Sequence, residues 1–227
     1  MQPLILLHGA IGAQDQLKPL ADKLSDSYDV HTLSFSGHGG VAYDAEFSIA
    51  MFAAEVLAYM DEKGLQQASV FGYSMGGYVG MYLCKHHAQR VGRIVTLATK
   101  YHWDEATALK ETKMLDAAKI EERIPAFAKA LQQRHAPNDW KEVLLRTQQM
   151  LHAMGQNNPL QLADYSTIAN PALILLGDKD KMVGLDETVA VYTALPNAQM
   201  GMLPATQHPI EQANIDALTW FIKYFIG

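Results

Sequence analysis

The feature that most constrains the fold is a regular alternation of short apolar segments with segments of helical periodicity. Residues 4–7, 28–35, 68–73 and 93–98 are short runs rich in apolar or β-forming side chains. Helix-type stretches separate them, and the clearest of these places apolar residues at helical spacing over residues 49–60, with Ser48 as its predicted N-cap. Such an alternation predicts parallel strands joined by right-handed crossovers, with helices on both faces of the sheet.

The alternation is interrupted once, after Lys100. Residues 101–164 are helical in pattern, with two amphipathic stripes and no convincing strand. The strand pattern then returns at residues 172–176 and 199–203. A final helix, with apolar residues from Ile210 to Phe225, is expected to end the chain.

These patterns predict an α/β core that is interrupted by a helical insertion. A length of 227 residues suits one domain, or a domain with an insertion, and can bury a substantial core. We expect residues 1–100 to form the first part of the core and residues 165–227 its second part. Residues 101–164 are expected to form a helical cap over the core.

The composition argues against several classes of partner. The formal net charge is −6 and lysine and arginine form no cluster, so neither a nucleic acid nor an anionic membrane surface is indicated. No apolar run approaches the roughly 20 residues of a membrane-spanning helix, and the first apolar run is too short for a signal peptide. Cys84 is the only cysteine, so an oxidising compartment gains no support and a cytoplasmic location is the default. The expected partner is a small-molecule substrate, and the oligomeric state is left open.

The strongest chemical motif lies between the third strand and the helix that follows it. Residues 72–76 read GYSMG, which matches the sharp strand-to-helix turn that exposes a nucleophilic serine. Glycines two positions before and after Ser74 allow strand and helix to approach closely. The backbone N–H of Met75 would then lie at a helix start, where it can stabilise a developing oxyanion. We therefore predict Ser74 as a nucleophile.

A second motif follows the first strand, where residues 8–12 read HGAIG. Hydrolases with a nucleophilic serine on such a turn take a second oxyanion donor from a loop that follows a strand. The backbone N–H of Ala10 is our candidate for this donor. His8 is expected to shape the loop and to take no part in catalysis.

A serine hydroxyl needs an adjacent base, and the chain order serine, acid, histidine selects among the nine histidines. His208 follows the last strand and precedes the last helix, so it should lie at the same sheet edge as Ser74. Six others lie inside a strand (His31), at the end of a helix (His86 and His87), or in or beside the insertion (His102, His135 and His152). We predict His208 as the base.

Two aspartates compete for the role of the acid. Asp178 and Asp180 both lie in the loop after the strand at residues 172–176, where ligands bind in open α/β sheets. Asp180 has the farther reach over the sheet edge and is preferred. Asp178 is expected to cap a turn or loop.

Together these residues resemble the α/β-hydrolase fold superfamily, in its lidded, esterase-like branch. The resemblance rests on the His8 loop, the Gly-His-Gly turn at residues 37–39, the Ser74 turn, residues 177–183 and His208. In the family, a pattern of glycine, aspartate and valine at three-residue spacing carries the acid on its aspartate. That pattern implies Asp180 here, in agreement with the argument from reach.

The resemblance also carries departures and exclusions. The family often has two further strands before the His-Gly strand, so a shortened sheet is expected. The family commonly has aspartate before the Gly-His-Gly turn, where residues 34–36 read SFS here, and it often has glycine before the last histidine, where this chain has Gln207. A serine at position 74 argues against haloalkane dehalogenases and epoxide hydrolases, whose relatives carry aspartate there.

The predicted activity is hydrolysis of a small ester-like substrate through an acyl-enzyme, with no metal or organic cofactor. The same residues could instead serve carbon–carbon bond hydrolysis, thioester cleavage, or an elimination as in a menaquinone-pathway synthase. A ligand-binding receptor that kept the three residues is the alternative from another class, since fold does not dictate function.

The cap would roof the substrate pocket, and Trp103, just beyond a strand end, is the best candidate for its wall. The helical spacing of Trp140, Met150 and Met154 is equally typical of residues that hold the cap on the core. The full set of candidate wall residues is Tyr101, His102, Trp103, Trp140, Met150 and Met154.

Overall fold

The computed structural model describes residues 1–227, in which six strands form one sheet and ten α-helices surround it. The strands are β1 (Gln2–Leu7), β2 (Tyr28–Leu33), β3 (Ala68–Tyr73), β4 (Val91–Leu97), β5 (Ala172–Gly177) and β6 (Ala198–Leu203). The helices are α1 (Lys18–Leu24), α2 (Ile49–Glu62), α3 (Met75–His86), α4 (Glu105–Thr112), α5 (Ala117–Arg123), α6 (Pro125–His135), α7 (Trp140–Gln156), α8 (Leu162–Tyr165), α9 (Leu185–Ala194) and α10 (Ile215–Ile226).

All neighbouring strands are parallel, and their order is β2-β1-β3-β4-β5-β6. The chain moves outward from β1 to β2 and then returns to the other side of β1 to form β3. The strand order therefore reverses between β1 and β3. In open α/β sheets, the crevice at such a switch point, beyond the carboxyl ends of the strands, is where ligands bind.

The predicted α/β class is confirmed, and the parallel sheet has the shortened form that we expected, with six strands. Alternate residues of β1 enter separate hydrophobic cores on the two faces of the sheet. Leu4 and Leu6 pack with residues of α1 and α10, whereas Ile5 and Leu7 pack with residues of α2 and α3. Helices therefore cover both faces, and the polar chemistry is left to the loops at the strand ends.

Helix α2 shows how local sequence fixes an element in this layer. The Ser48 hydroxyl oxygen accepts the backbone N–H of Met51, which is the predicted N-cap interaction. Phe52 and Val56 are fully buried on the face toward the sheet. Just beyond the helix end, Gly64 has a φ of +70°, a value that glycine tolerates without a side-chain clash.

Between β4 and β5 the chain forms α4, α5, α6, α7 and α8 and contains no strand. Helix α7 packs closely on α4, and a Cβ atom on Gly155 would lie 2.6 Å from the Cβ of Ala108. A small core of its own, which includes Ile120, Leu131 and Trp140, joins α5, α6 and α7. The assignment of residues 101–164 to a cap that covers the site stays a prediction.

Two details differ from the sequence-based expectation. Helix α9 had not been predicted, and Ile210 lies in a separate 3-10 turn before α10 and not within that helix. The side chain of Glu187 accepts the N–H of Gly184 at the start of α9, which fixes the first turn. None of the ten helices combines the length and hydropathy that a membrane crossing requires.

Candidate active site

Ser74 occupies a strained turn between β3 and α3. Its φ of 51° and ψ of −117° lie in a region that residues with a side chain rarely adopt. A Cβ atom on Gly72 would collide with the backbone of Gly76 and Gly77, and one on Gly76 would collide with the backbone of Leu7. The glycines of the motif are therefore required for the close approach of strand, helix and β1, as the sequence predicted.

His208 reaches Ser74 from the loop after β6. Its Nε2 atom lies 3.3 Å from the Ser74 Oγ atom. The hydroxyl of Tyr73 donates a hydrogen bond to the backbone carbonyl of His208 over 3.0 Å, and this bond helps to hold the loop in place. Residues 134 positions apart in the chain are thus brought together at the carboxyl edge of the sheet.

Asp180 lies behind the imidazole, in the loop after β5. Its Oδ2 atom accepts a hydrogen bond from Nδ1 of His208 at 2.8 Å, and its side chain has no exposed area. Its Oδ1 atom accepts the backbone N–H groups of Met182 and Val183 at 2.8 and 2.9 Å. Burial opposes the charged form, but the His208 contact and these N–H groups outweigh it and hold the pKa of Asp180 below its ordinary value.

These contacts determine the tautomer of His208. Because a carboxylate only accepts, Nδ1 of His208 must carry the proton that it donates to Asp180. The neutral ring then has a free lone pair on Nε2, which faces the hydroxyl of Ser74. Ser74, His208 and Asp180, all predicted from the sequence, therefore form one hydrogen-bonded chain.

Asp178 has a different position, as expected. Its side chain is partly exposed, and its Oδ1 atom accepts the backbone N–H of Thr206 at 3.1 Å. This contact joins the loop after β5 to the loop that leads to His208, so Asp178 caps a loop.

The loop after β1 lies directly against Ser74. A Cβ atom on Gly9 would lie 3.2 Å from the Cβ of Ser74, so only glycine allows this approach without displacing its neighbours. His8 is fully buried and supports the loop through its ring. Nδ1 donates to the Gly9 carbonyl over 2.7 Å, and Nε2 accepts the backbone N–H of Phe35 at 3.1 Å. Burial lowers the pKa of His8 to about 4, which keeps the ring neutral near pH 7.

The two predicted oxyanion donors lie in the loop after β1 and at the first residue of α3. The N–H of Ala10 has no acceptor within the protein, and the N–H of Met75 opens helix α3, where no intrahelical acceptor exists. Both residues line the same cavity as Ser74. Two backbone donors are thus available beside the hydroxyl.

The sequence reasoning missed a further histidine that supports the loop. His135, at the end of α6, donates from Nε2 to the Ile11 carbonyl at 3.1 Å, and its Nδ1 accepts the N–H of Gly39 at 3.2 Å. Its ring packs against His38, which lies in the predicted Gly-His-Gly turn. Nothing in the local pattern of α6 distinguishes His135, since its partners are remote in the chain.

A cavity of about 460 Å³ opens over Ser74 and His208. Trp103, Met150 and Met154 line it, as proposed for the pocket wall. Most of the other lining side chains are also apolar. They include Met75 and Tyr78 of α3, Phe127 and Ala130 of α6, Leu151 of α7, and Met114 and Leu115 in the 3-10 turn that follows α4.

Three of the candidate wall residues do not line the cavity, and for Trp140 the alternative of a packing role applies. Tyr101 is buried and its hydroxyl shares a hydrogen bond with Thr96 over 2.7 Å. Trp140 packs inside the small core of the helical segment. The side chain of His102 is exposed and contacts Asp104. Whether such a residue lines the cavity, packs in a core or lies at the surface depends on how the helices between β4 and β5 pack against the sheet.

The cavity also contains charged residues that the sequence had not indicated. Lys100 and Glu111 lie in its wall, and Arg134 and Glu211 form another charged pair there. Their place in the cavity follows from the packing of α4 and α6, which no local motif encodes.

Comparison with known proteins decides the family. A sequence model of the α/β hydrolase fold matches residues 2–166. The chain belongs to the α/β hydrolase fold family. This α/β hydrolase is 34% identical over 99 residues to a pimeloyl-(acyl-carrier protein) methyl ester esterase of Aliivibrio salmonicida, which covers 42% of this chain and 35% of the relative. It is 25% identical over 225 residues to putative esterase/lipase 3 of Mycoplasma pneumoniae, covering 91% and 80% of the two chains.

Solved structures share the architecture. The enol-lactonase from Burkholderia xenovorans superimposes with a TM-score of 0.80 over 99% of this hydrolase and 91% of that chain, at 20% identity. A hydrolase from Pseudomonas aeruginosa gives a TM-score of 0.81, with 18% identity, over 100% and 90% of the two chains. At these identities the likeness concerns the fold. Several curated relatives, including the Aliivibrio esterase, are matched over only about a quarter to a third of their own length.

Proposed function

We propose that this α/β hydrolase cleaves a small carboxylic ester through an acyl-enzyme on Ser74. The observation that carries the proposal is the 3.3 Å contact between Ser74 Oγ and His208 Nε2 inside the cavity. A serine hydroxyl becomes an effective nucleophile only with such a base beside it. The Asp180 carboxylate, 2.8 Å from Nδ1 of His208, keeps the base in the tautomer that can accept the serine proton.

In the first half of the reaction, Ser74 Oγ attacks the ester carbonyl carbon while His208 Nε2 takes the hydroxyl proton. The carbonyl oxygen becomes negatively charged and accepts the N–H groups of Ala10 and Met75. When the carbon–oxygen bond to the alcohol breaks, His208 returns its proton to the departing oxygen. The alcohol leaves, and the acyl group remains on Ser74.

The second half repeats these steps with water. His208 removes a proton from a water molecule whose oxygen attacks the acyl carbon, and the same two N–H groups stabilise the charge. The bond to Ser74 Oγ then breaks, and His208 protonates that oxygen. The products are a carboxylic acid and the restored hydroxyl, and Asp180 stabilises the charged imidazole in both halves.

The lining of the cavity supports a substrate with a short, largely apolar chain. Trp103, Met150, Met154 and Phe127 provide apolar surface near Ser74, and a volume of about 460 Å³ suits a small molecule. The Aliivibrio and Mycoplasma relatives are described as an esterase and a putative esterase/lipase, which agrees with ester cleavage.

The proposal is tested with a fluorophosphonate probe and short esters. We expect the probe to label Ser74, as read by mass spectrometry, and the protein to hydrolyse p-nitrophenyl acetate or butyrate. Ser74→Ala should abolish labelling and lower kcat by about 10⁶-fold, because the nucleophile is removed. The exposed Ser166, directly after α8 and outside the cavity, provides the matched control, and Ser166→Ala should retain activity.

The test also separates the other activities that the same residues could support. Labelling of Ser74 without ester turnover would contradict the esterase proposal and direct the search toward thioesters, carbon–carbon bonds or elimination. Absence of both labelling and turnover, with a ligand that promotes partner binding, would indicate a receptor.

A further inference from the structure

The mostly apolar cavity contains a buried ion pair that the proposed reaction does not use. Nζ of Lys100 lies 3.7 Å from Oε1 of Glu111, and the two side chains are only 13% and 4% exposed. Both residues line the cavity that holds Ser74. Desolvating two charges is costly and is offset only by good geometry and additional hydrogen bonds. A buried pair of this kind therefore needs hydrogen-bond partners for its remaining donors and acceptors.

Those additional hydrogen bonds are missing at Glu111. Neither carboxylate oxygen of Glu111 accepts a hydrogen bond from the protein. The Lys100 ammonium, which has three donors, makes one hydrogen bond, to Oε1 of Glu187 at 3.2 Å. Glu187 is well satisfied, because it also accepts three backbone N–H groups. The unused capacity therefore lies in the acceptors of Glu111 and the remaining donors of Lys100.

The backbone holds this pair close to the nucleophile. Lys100 directly follows Thr99, whose hydroxyl donates to the backbone carbonyl of Ser74 over 3.1 Å. The indole N–H of Trp103, another residue of the cavity wall, donates to the Lys100 carbonyl over 3.2 Å. Glu111 lies on α4, which Gly155 allows to pack tightly against α7. The pair thus belongs to a closely packed part of the cavity wall.

We propose that Lys100 and Glu111 form a polar subsite for a neutral group that both donates and accepts hydrogen bonds, namely a hydroxyl or a carboxamide of the substrate. The inference rests on the proposed esterase function and specifies its substrate class. A hydroxyl accepts a hydrogen bond from the Lys100 ammonium and donates one to the Glu111 carboxylate. The free donors of Lys100 and the free acceptors of Glu111 then both have a partner.

The groups around the pair favour a neutral ligand over a charged one. A substrate carboxylate would face the two glutamates, Glu111 and Glu187, against a single lysine. A substrate ammonium has no acceptor and would leave the free donors of Lys100 without a partner. The remaining charged pair of the cavity wall, Arg134 and Glu211, is tied to other elements through Asp15 and Gln16. A neutral donor and acceptor is the group that this environment favours.

The experiment compares ω-hydroxyacyl p-nitrophenyl esters of increasing chain length with isosteric alkanoates, in which a methyl group replaces the hydroxyl. For at least one length, the native protein should favour the hydroxy ester in kcat/KM by about tenfold, because hydrogen bonds to charged groups are strong. In Glu111→Gln this ratio should fall toward one. Glu105→Gln, exposed on the same helix and outside the cavity, is the matched control and should keep the native ratio.

Equal kcat/KM values for each hydroxy ester and its alkanoate, in a native protein that hydrolyses both, would overturn the subsite and leave the esterase function intact. Failure of the esterase function would show as absent turnover and absent labelling of Ser74. Calorimetry on Ser74→Ala then decides the subsite without turnover. Tighter binding of 6-hydroxyhexanamide than of heptanamide supports it, and equal binding overturns it. If Glu111→Gln does not fold, as judged by thermal unfolding, Glu111→Met replaces it.

Discussion

At the scale of single residues, Asp178 and Asp180 show how environment separates two identical side chains. They lie in the same loop, two positions apart. Asp180 has no exposed side-chain area and accepts hydrogen bonds from His208 and two backbone N–H groups. Asp178 is partly exposed and accepts the N–H of Thr206. One carboxylate is therefore placed to orient the imidazole, and the other only to join two loops.

We predict that Asp180→Asn lowers kcat by about 10⁴-fold, as loss of the acid does in other Ser-His-Asp hydrolases. An amide can donate to Nδ1 of His208, which favours the tautomer that leaves no lone pair toward Ser74. Asp178→Asn keeps an acceptor for Thr206 and should retain most activity. Steady-state hydrolysis of p-nitrophenyl butyrate measures both, and a comparable loss in the two variants would contradict the assignment.

At the scale of elements, helix α6 is joined to the loop that carries Ala10. His135 donates to the carbonyl of Ile11, whose φ of 53° is unusual for a β-branched residue, and accepts the N–H of Gly39. A side chain from the helical segment thus holds two loops of the core. We expect this contact to fix the position of the Ala10 N–H relative to Ser74.

We expect His135→Ala to lower kcat by about tenfold or more with little change in KM, because a misplaced oxyanion donor weakens transition-state stabilisation. His135→Gln should recover part of the loss, since its amide can still donate to Ile11. His152→Ala, exposed on α7, is the control. A rise in KM at constant kcat would show instead that His135 acts on substrate binding.

The elements that the sequence predicted well are those with strong local signals. Strand β3 was predicted with its observed bounds, and Ser48 caps α2 as expected, because apolar runs and caps act locally. Helix α9 was not predicted because only part of it is buried. Leu185 and Val189 are exposed, so its sequence shows no clear apolar stripe. Its first turn is instead fixed by the Glu187 contact, which is hard to read from a sequence alone.

Part of the candidate site could likewise be predicted from the sequence, and part could not. Ser74, Asp180 and His208 could be predicted because parallel strands bring their loops to one edge and the order of the residues is distinctive. The cavity wall could not be predicted as well, since its composition depends on how the helices between β4 and β5 fold over the sheet. Tyr101 and Trp140 have the residue types of pocket walls and yet pack inside the protein.

At the scale of the whole molecule, three buried histidines lie where the sheet, the Gly-His-Gly turn and α6 meet. The ring of His38 lies between the other two. Its centroid is 5.2 Å from that of His8 and 5.7 Å from that of His135. Desolvation lowers the pKa of all three, to about 4 for His8 and well below the ordinary value for His38. The native protein therefore holds them neutral at pH values where an unfolded chain protonates them.

The free energy of unfolding should consequently fall on acidification. Between the unfolded histidine pKa of about 6.5 and the folded value of about 4, the unfolded state binds more protons, so each decrease in pH favours unfolding. His8 alone would account for about 3 kcal/mol across this window. Urea unfolding at several pH values measures the slope. His135→Gln should make it shallower, whereas the exposed His152→Gln should leave it unchanged, and equal slopes in all three proteins would contradict this origin.

The single thiol has a practical consequence. Cys84 is fully buried on α3, and burial raises its pKa well above the ordinary value, so the reactive thiolate is scarce and unreachable. A cysteine introduced at the exposed Lys129 on α6 would be the only one within reach of a maleimide dye. The native chain is thus ready for site-selective fluorescent or spin labelling, without first removing any residue, and movements of helix α6 beside the cavity can be followed when ligands are added.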